Sequence, residues 1–476
     1  MMVSIPVRNP RTGAYDYQIT PPDEATLAAV CARLREAQSA WTACDVAERI
    51  ATLTAWRQSM IAHRDEIIAA LIADTGRYHE SVLEFDSVLS SLERWSRLAP
   101  DLLKYEVCRS SALPFIRLDG RIVPYSLVGV ISPWNFPLLL SLIDTIPALL
   151  AGCAVVVKPS EMAPRFIEPL RRSIADVPSL AEVLHYVTGD GTTGAALINQ
   201  IDLICFTGSV TNGRRVAEAA ARRFIPAFLE LGGKDPAIVC AGADLERAAS
   251  AILWGGMVNA GQSCLSIERV YVEATVYEPF VEILTTQALG LRLALPEPQS
   301  GQIGPIMTLR QAEIIADHLA DAYAHGAIAR CGGALETHAG GIYCLPTVLT
   351  EVNHTMKIMR EETFGPILPV MPVADPREAI TMANDTNFGL SAAVFARDTE
   401  AACAVATHLQ AGAISINDAA LTAIIHDAEK QSFKYSGLGG SRMGPGAIHR
   451  FTRKQAMLIN TSQNFDPWWF QQEAQS

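Results

Sequence analysis

The 476-residue sequence has no run rich in lysine or arginine, and its formal net charge is -12. Nucleic-acid binding rests on a basic patch, so a polyanion partner is excluded and a small molecule is the default partner. The chain also lacks any CxxC pair: its ten cysteines are scattered from Cys31 to Cys403, several inside apolar runs such as Leu203 to Phe206. A disulfide framework or a metal-ligand set is therefore not expected. Most of these thiols read as small buried hydrophobes in a reducing compartment. The start, MMVSIPVRNPRTG, lacks the basic end and apolar core of a signal peptide, which makes cytoplasm the expected location. There is no internal repeat, no low-complexity linker and no GxGxxG after the first strand of the α/β pattern.

What is present points to a large folded protein. Hydrophobic residues make up 49% and charged residues 18%, enough for an extensive interior. The length implies two or three domains at about 100 to 200 residues each. One stretch, Leu127 to Val157, is apolar over a length that could suggest a membrane span. Pro133, Asn135, Pro137, Asp144 and Pro147 interrupt it, and Asp144 in lipid would cost a few kcal/mol. It reads instead as strand (Val128 to Ser132), helix (Leu138 to Ala151) and strand (Ala154 to Val157), so no membrane partner is expected.

Apolar residues at helical spacing fill Ala25 to Leu71 and Val82 to Leu98. From Val128 onward short apolar strands alternate with helices, which favours parallel sheets covered on both faces. A second set of strands follows Val270, and the two sets join near Gly232 and Gly233. The segment Phe115 to Tyr125 (FIRLDGRIVPY) reads as a hairpin turning at Asp119-Gly120. Ala456 to Thr461 reads as a further strand, and the tail QNFDPWWFQQ is too aromatic to be left in water.

Three stretches carry candidate chemistry. In NAGQSC the flanking Gly261, Gln262 and Ser263 suggest an approachable sulfur at Cys264, a candidate nucleophile. No histidine lies near it in sequence, so a Cys/His pair has little support. In LELGGKDP, Glu230 ends an apolar strand, a setting that suits a general base. In ISPWNFPL, Asn135 is held between Trp134, Phe136 and two prolines, as a rigid amide donor would be.

Taken in order, NPRTG, ISPWNFPL, VVVKPSE, FTGSVTNG, LELGGKDP, NAGQSC, EETFGP, NFGLSAAVF and FKYSGLGG make the chain resemble the aldehyde dehydrogenase superfamily, NAD(P)-dependent and hydrolytic, over nearly its whole length. Cys264 follows Glu230 by the family's 34 residues. The resemblance implies an α/β fold with a Rossmann-like dinucleotide-binding domain (1–112 and 128–231), an α/β catalytic domain (232–430) and a small β oligomerisation element (113–127 and 455–476). It implies oxidation of an aldehyde to the acid: Cys264 forms a thiohemiacetal and then a thioester, Asn135 holds the oxyanion, and Glu230 activates water.

The same resemblance implies a cofactor site of Trp134, Lys158, Glu161, Gly208, Ser209, Gly213, Leu231, Glu362 and Phe364. Gly208 and Gly213 bracket Ser209 where a strand meets a helix N-terminus, a place that can hold pyrophosphate. The Glu161 carboxylate can accept from a free ribose 2′-hydroxyl but repels a 2′-phosphate, so NAD is expected over NADP. Two departures stand out. Asp144 occupies a position where many relatives have lysine, and the loop Asp418 to Lys430 differs from the common form. Asp144, His426 and Asp427 are the candidate substrate contacts, with Asp144 alternatively capping a polar neighbour. Ser263, Leu265 and the region Glu84 to Trp95 would wall a tunnel for a medium-sized aliphatic or aromatic aldehyde. A homodimer or homotetramer is implied. The rival readings are a CoA-acylating relative, a biosynthetic reductase and a non-catalytic protein of the same fold.

Overall fold

The computed structural model describes residues 4–463 and 468–470. Four helices fill most of the first hundred residues: Glu24–Ala43, Val46–Ala62, Arg64–Thr75 and His79–Leu102. Asp23 and Asp45 cap the first two, and Asp45 with Glu48 forms a reciprocal capping box. These helices pack on a six-stranded sheet ordered Gly437–Leu438, Ala227–Glu230, Leu203–Thr207, Leu127–Ile131, Ala154–Lys158, Leu184–Tyr186. All neighbours run parallel except the edge strand Gly437–Leu438. Leu127–Ile131, Ala154–Lys158 and Leu203–Thr207 are buried at every residue, as a parallel sheet covered on both faces requires. From Leu127–Ile131 the strand order grows in both directions, which opens a crevice at the carboxyl ends of the central strands.

Only Leu231 to Lys234 separate this sheet from a second, where Asp235–Val239 lies near the middle. Its seven strands run Ile328–Cys331, Thr347–Thr350, Ile367–Val373, Ile267–Glu273, Asp235–Val239, Ser391–Phe395, Ala413–Ile416. The first is antiparallel and the rest parallel. The fold is thus a mixed α/β architecture of two parallel-sheet layers with Rossmann-like character. After the second sheet the chain returns to the first: Ala447, Ile448 and Phe451 pack into its core.

Two buried ionic clusters fix this arrangement. Lys234, fully enclosed, donates to Glu268 at 2.7 Å, and the same carboxylate accepts from the backbone N–H of Thr363 (2.8 Å) and Phe364 (2.7 Å). One acidic side chain therefore pins the Glu362 to Phe364 segment to the second sheet. The other cluster is centred on Asp144, which is 1% exposed and binds Arg442 and Arg450, the latter at 2.6 Å.

Several sequence expectations change here. The helix expected over Leu138 to Ala151 is two helices, Pro137–Leu142 and Thr145–Ala151, and Asp144 stands at the break. Its carboxylate faces the two arginines, so it is a structural anion and not a substrate contact. The hairpin expected over Phe115 to Tyr125 is one strand, Ile116–Pro124, paired antiparallel with Thr452–Asn460. A Cβ on Gly120 would lie 2.5 Å from the Tyr105 ring and 2.2 Å from Gln455 O, so this glycine serves close approach and not a turn. Of the tail, 464–467 and 471–476 lie outside the described residues, and part of the expected oligomerisation element with them. Trp468 stacks on Phe115 at 6.1 Å, yet Trp468, Trp469 and Phe470 remain exposed within this chain. No disulfide joins the cysteines, although Cys108 and Cys403 are exposed and so are not core thiols. No helix among the described residues is long and apolar enough to cross a membrane.

Burial raises the Asp144 carboxyl pKa, but Arg442 and Arg450 outweigh it and hold the group below its ordinary value. Asp144→Ala leaves two buried guanidinium groups without their counter-ion and should cost about 3 to 5 kcal/mol in urea unfolding. Because the folded pKa is depressed, the contribution is complete above the unfolded value of about 4 and is lost as pH falls through the folded one. The stability gap between wild type and variant should therefore narrow in acid.

Candidate active site

Cys264 sits on a strained loop. The helix Leu245–Met257 ends in a turn where Asn259 (φ 56°), Ala260 (φ 52°) and Gly261 (φ 68°) are all left-handed, a conformation costly for the two non-glycine residues. A Cβ on Gly261 would meet Gly365 O at 2.1 Å, which explains the small residues before the cysteine. The turn is held by buried amides. Asn259 Nδ2 donates to Asn135 O (3.1 Å) and Gln262 O (2.8 Å), and Gln262 Nε2 donates to Asn259 O (3.1 Å) and Pro305 O (3.2 Å). The sequence marks Gln262 only as a polar neighbour of Cys264 and carries no local signal for Asn259.

Asn135 follows the strand Leu127–Ile131, is 4% exposed, and donates from Nδ2 to Gln262 O at 3.1 Å. An amide NH2 carries two donors, so a second N–H remains for an oxyanion. Glu230 ends the strand Ala227–Glu230. The two glycines after it allow close approach: a Cβ on Gly232 would lie 2.5 Å from Glu362 Oε2, and one on Gly233 would lie 2.4 Å from Cys264 O. Cys264, Asn135 and Glu230 come together on one cavity of about 110 Å³. Its walls are mainly apolar, with Leu139, Ile143, Trp254, Leu265 and Ile424 among them.

The thiol of Cys264 is pushed up to about 12 by burial first and then by the Glu362 carboxyl, while Lys430 acts in the opposite direction. Lys430 was not singled out in the sequence. Its Nζ lies 3.2 Å from Glu230 Oε2, which also accepts from Ser432 Oγ at 3.0 Å. The available signal was a lysine within a loop that departs from its family form at the expected tunnel mouth. Of the residues expected from that loop, His426 lines the cavity, its pKa lowered by burial and by Arg94. Asp427 is exposed and lies away from the lining, as does Asp144. Ser263 and Leu265 line the cavity, and of the region Glu84 to Trp95, Glu84 and Ser87 do so, joined by Leu83 just before it. Arg442 also lines it; its Nη2 binds Asp144 and Thr207, and its buried Nε has no hydrogen-bond partner among the described residues.

The residues expected to bind the cofactor follow the carboxyl ends of four adjacent strands. Trp134 follows Leu127–Ile131, Lys158 and Glu161 end or follow Ala154–Lys158, Gly208 and Ser209 follow Leu203–Thr207, and Leu231 follows Ala227–Glu230. Ser209 caps the 14-residue helix Val210–Arg223 that contains Gly213. A Cβ on Gly213 would meet the Leu231 side chain at 2.5 Å. Lys158 Nζ is 3.4 Å from Glu161 Oε2. Phe364 (φ 52°) meets Trp134 edge to face at 5.5 Å, and Glu362 accepts from Gly233 N at 3.0 Å. Burial and the neighbouring Glu268 push the Glu362 carboxyl up to about 8. A crevice at a strand-order reversal with a helix N-terminus at one side fits a dinucleotide.

Residues 2–457 match the sequence profile of the aldehyde dehydrogenase family. The chain belongs to that family. It is thus an oxidoreductase-type protein whose relatives act on aldehydes with NAD(P). It is 37% identical to the 4,4'-diapolycopene aldehyde oxidase of Methylomonas sp, over 92% of this chain and 82% of that protein. It is 36% identical to a candidate succinate-semialdehyde dehydrogenase [NADP(+)] of Mycolicibacterium smegmatis, over 93% and 86%. Among solved structures, a candidate aldehyde dehydrogenase, PutA, from Anabaena variabilis superposes with a TM-score of 0.97 at 58% identity, covering 98% of this chain and 100% of that one.

Removing the Lys430 charge takes away a cation that favours the Cys264 thiolate. In Lys430→Met the alkylation of Cys264 by iodoacetamide at fixed alkaline pH, followed by peptide mass spectrometry, should slow about tenfold for each unit the thiol pKa rises. Lys430→Arg should retain most of the rate.

Proposed function

We propose that the protein oxidises an uncharged aldehyde to the free carboxylic acid with NAD as cofactor. The observation that carries this reading is the convergence of Cys264, Asn135 and Glu230 on one apolar cavity beside the dinucleotide crevice. The Cys264 thiolate attacks the carbonyl carbon, and the charge that develops on oxygen is held by the free Asn135 N–H and the Cys264 backbone N–H. Bound NAD supplies the hydride acceptor and a cationic ring. Collapse of the tetrahedral centre expels hydride and leaves a thioester on Cys264. Glu230 then takes a proton from water, and the resulting hydroxide releases the acid and restores the thiolate. Lys430 and Ser432 fix the Glu230 carboxylate by hydrogen bonds.

The lining supports an uncharged substrate. A semialdehyde carries a distal carboxylate that requires a cation, and both cations among the described lining residues, Lys430 and Arg442, already face Glu230 and Asp144. Of the two relatives above, the one named for 4,4'-diapolycopene aldehyde is the better guide to such walls. NAD is favoured by the Glu161 carboxylate, although the mycobacterial relative is named for NADP(+). Exposed Met457 and Leu458 on the strand Thr452–Asn460 support self-association into a dimer or tetramer.

Cys264→Ala should abolish NADH formation. Glu230→Gln should keep a single-turnover burst of NADH at 340 nm while acid release stops; steady turnover at the wild-type rate would remove Glu230 from the hydrolytic step. Free acid formed without CoA separates this reading from the acylating one. Glu161→Ser should raise kcat/KM with NADP relative to NAD, and an unchanged ratio would show that Glu161 does not select the cofactor.

A further inference from the structure

The catalytic cavity does not close at its outer end. Leu83, Trp254 and Val258 line it and also line a neighbouring groove of about 380 Å³. Leu83 belongs to the helix His79–Leu102, and Trp254 to the helix Leu245–Met257 that leads into the Cys264 loop. At 46% and 37% exposed, they form an apolar saddle between the two spaces. Beyond the saddle the groove is walled by Leu253, Met257, Leu291 and Ile303. Three of its polar side chains are engaged within the protein: Glu80 accepts from Asn259 N at 3.1 Å, Gln287 donates to Glu246 at 3.2 Å, and Gln302 accepts from Arg292 N at 3.1 Å.

We propose that this groove is an outer subsite for the distal hydrocarbon of a long-chain aldehyde whose carbonyl carbon sits at Cys264. The inference rests on the reading of the inner cavity as a site for uncharged aldehydes. The occupant follows from continuity: a chain anchored at Cys264 that outgrows the inner cavity meets Leu83 and Trp254, and the groove offers it apolar wall on the far side. A short aldehyde stays within the inner cavity and leaves the saddle wet. A long one covers the saddle and gains the transfer free energy of each methylene it buries, worth about fourfold in kcat/KM.

The test is kcat/KM for linear aldehydes from butanal to hexadecanal, each below its micelle concentration, with NAD. The expected profile rises, levels as the inner cavity fills, and rises again by up to about fourfold per added methylene once the chain crosses the saddle. Ser250 lies on the groove wall, exposed, one helical turn before Trp254. Ser250→Trp fills the groove and should remove the second rise, lowering the hexadecanal-to-butanal ratio; Ser250→Ala should keep it. Thermal unfolding confirms that both variants are folded. A profile that levels once and never rises again overturns the outer subsite, whether the groove is unused or covered by a second copy of the chain. A hexadecanal-to-butanal ratio unchanged in Ser250→Trp also overturns it. Oxidation of butanal in either case leaves the proposed function standing, whereas no oxidation of any member defeats that function and the subsite with it.

Discussion

Three buried amides join the two halves of this protein around the candidate site. Asn135 comes from the first sheet, while Asn259 and Gln262 lie on the loop that enters the second. Asn135 Nδ2 donates to Gln262 O and Asn259 Nδ2 to Asn135 O across the boundary, each at 3.1 Å; within the loop Asn259 Nδ2 also donates to Gln262 O at 2.8 Å, and Met307 N donates to Gln262 Oε1 at 2.9 Å. Each such bond contributes modestly on balance because folding exchanges it for a bond to water, but leaving one unmade costs about 1 to 3 kcal/mol. The lattice therefore does more than join the halves. It holds the left-handed backbone at Asn259 and Ala260, and it keeps Asn135 and Cys264 on the same cavity.

Charge is arranged around that lattice in buried pairs. Lys234 with Glu268, Arg77 with Glu84, and Asp144 with Arg442 and Arg450 are enclosed and matched. Cys264 and Glu362 are partly exposed and form no ion pair among the described residues, and desolvation pushes the thiol of the first and the carboxyl of the second upward. The contrast is physical: a low-dielectric surround depresses or raises a carboxyl pKa according to the partner it supplies. Lys430 belongs to neither class, since it pairs with Glu230 inside the substrate cavity and acts on the thiol at the same time. A replacement there acts on both the proposed base and the proposed nucleophile.

Local chemistry made much of the site legible. Short motifs marked Cys264, Asn135 and Glu230 because each needs particular neighbours: glycines where backbone must approach, prolines where a loop must be rigid, an apolar strand before a carboxylate. The four strand ends that carry the cofactor candidates were visible for a similar reason, since buried parallel strands read as unbroken Val, Ile and Leu runs. Asp119-Gly120 misled because a glycine required for the Tyr105 contact has the same letters as a turn. Asp144 misled because its partners are about 300 residues away, beyond the reach of any local pattern.

The sequence by itself determined the family, the alternation of strands and helices, and the identity of the candidate reacting groups, because these depend on residue type and spacing within a few turns of chain. Tertiary structure alone decided which charges meet: Arg442 and Arg450 on Asp144, and Lys430 on Glu230. It also decided that the cavity continues past Trp254 into an apolar groove. Coulomb interactions and cavity shape depend on distance in space, and residues remote in sequence acquire that distance only when the chain has packed.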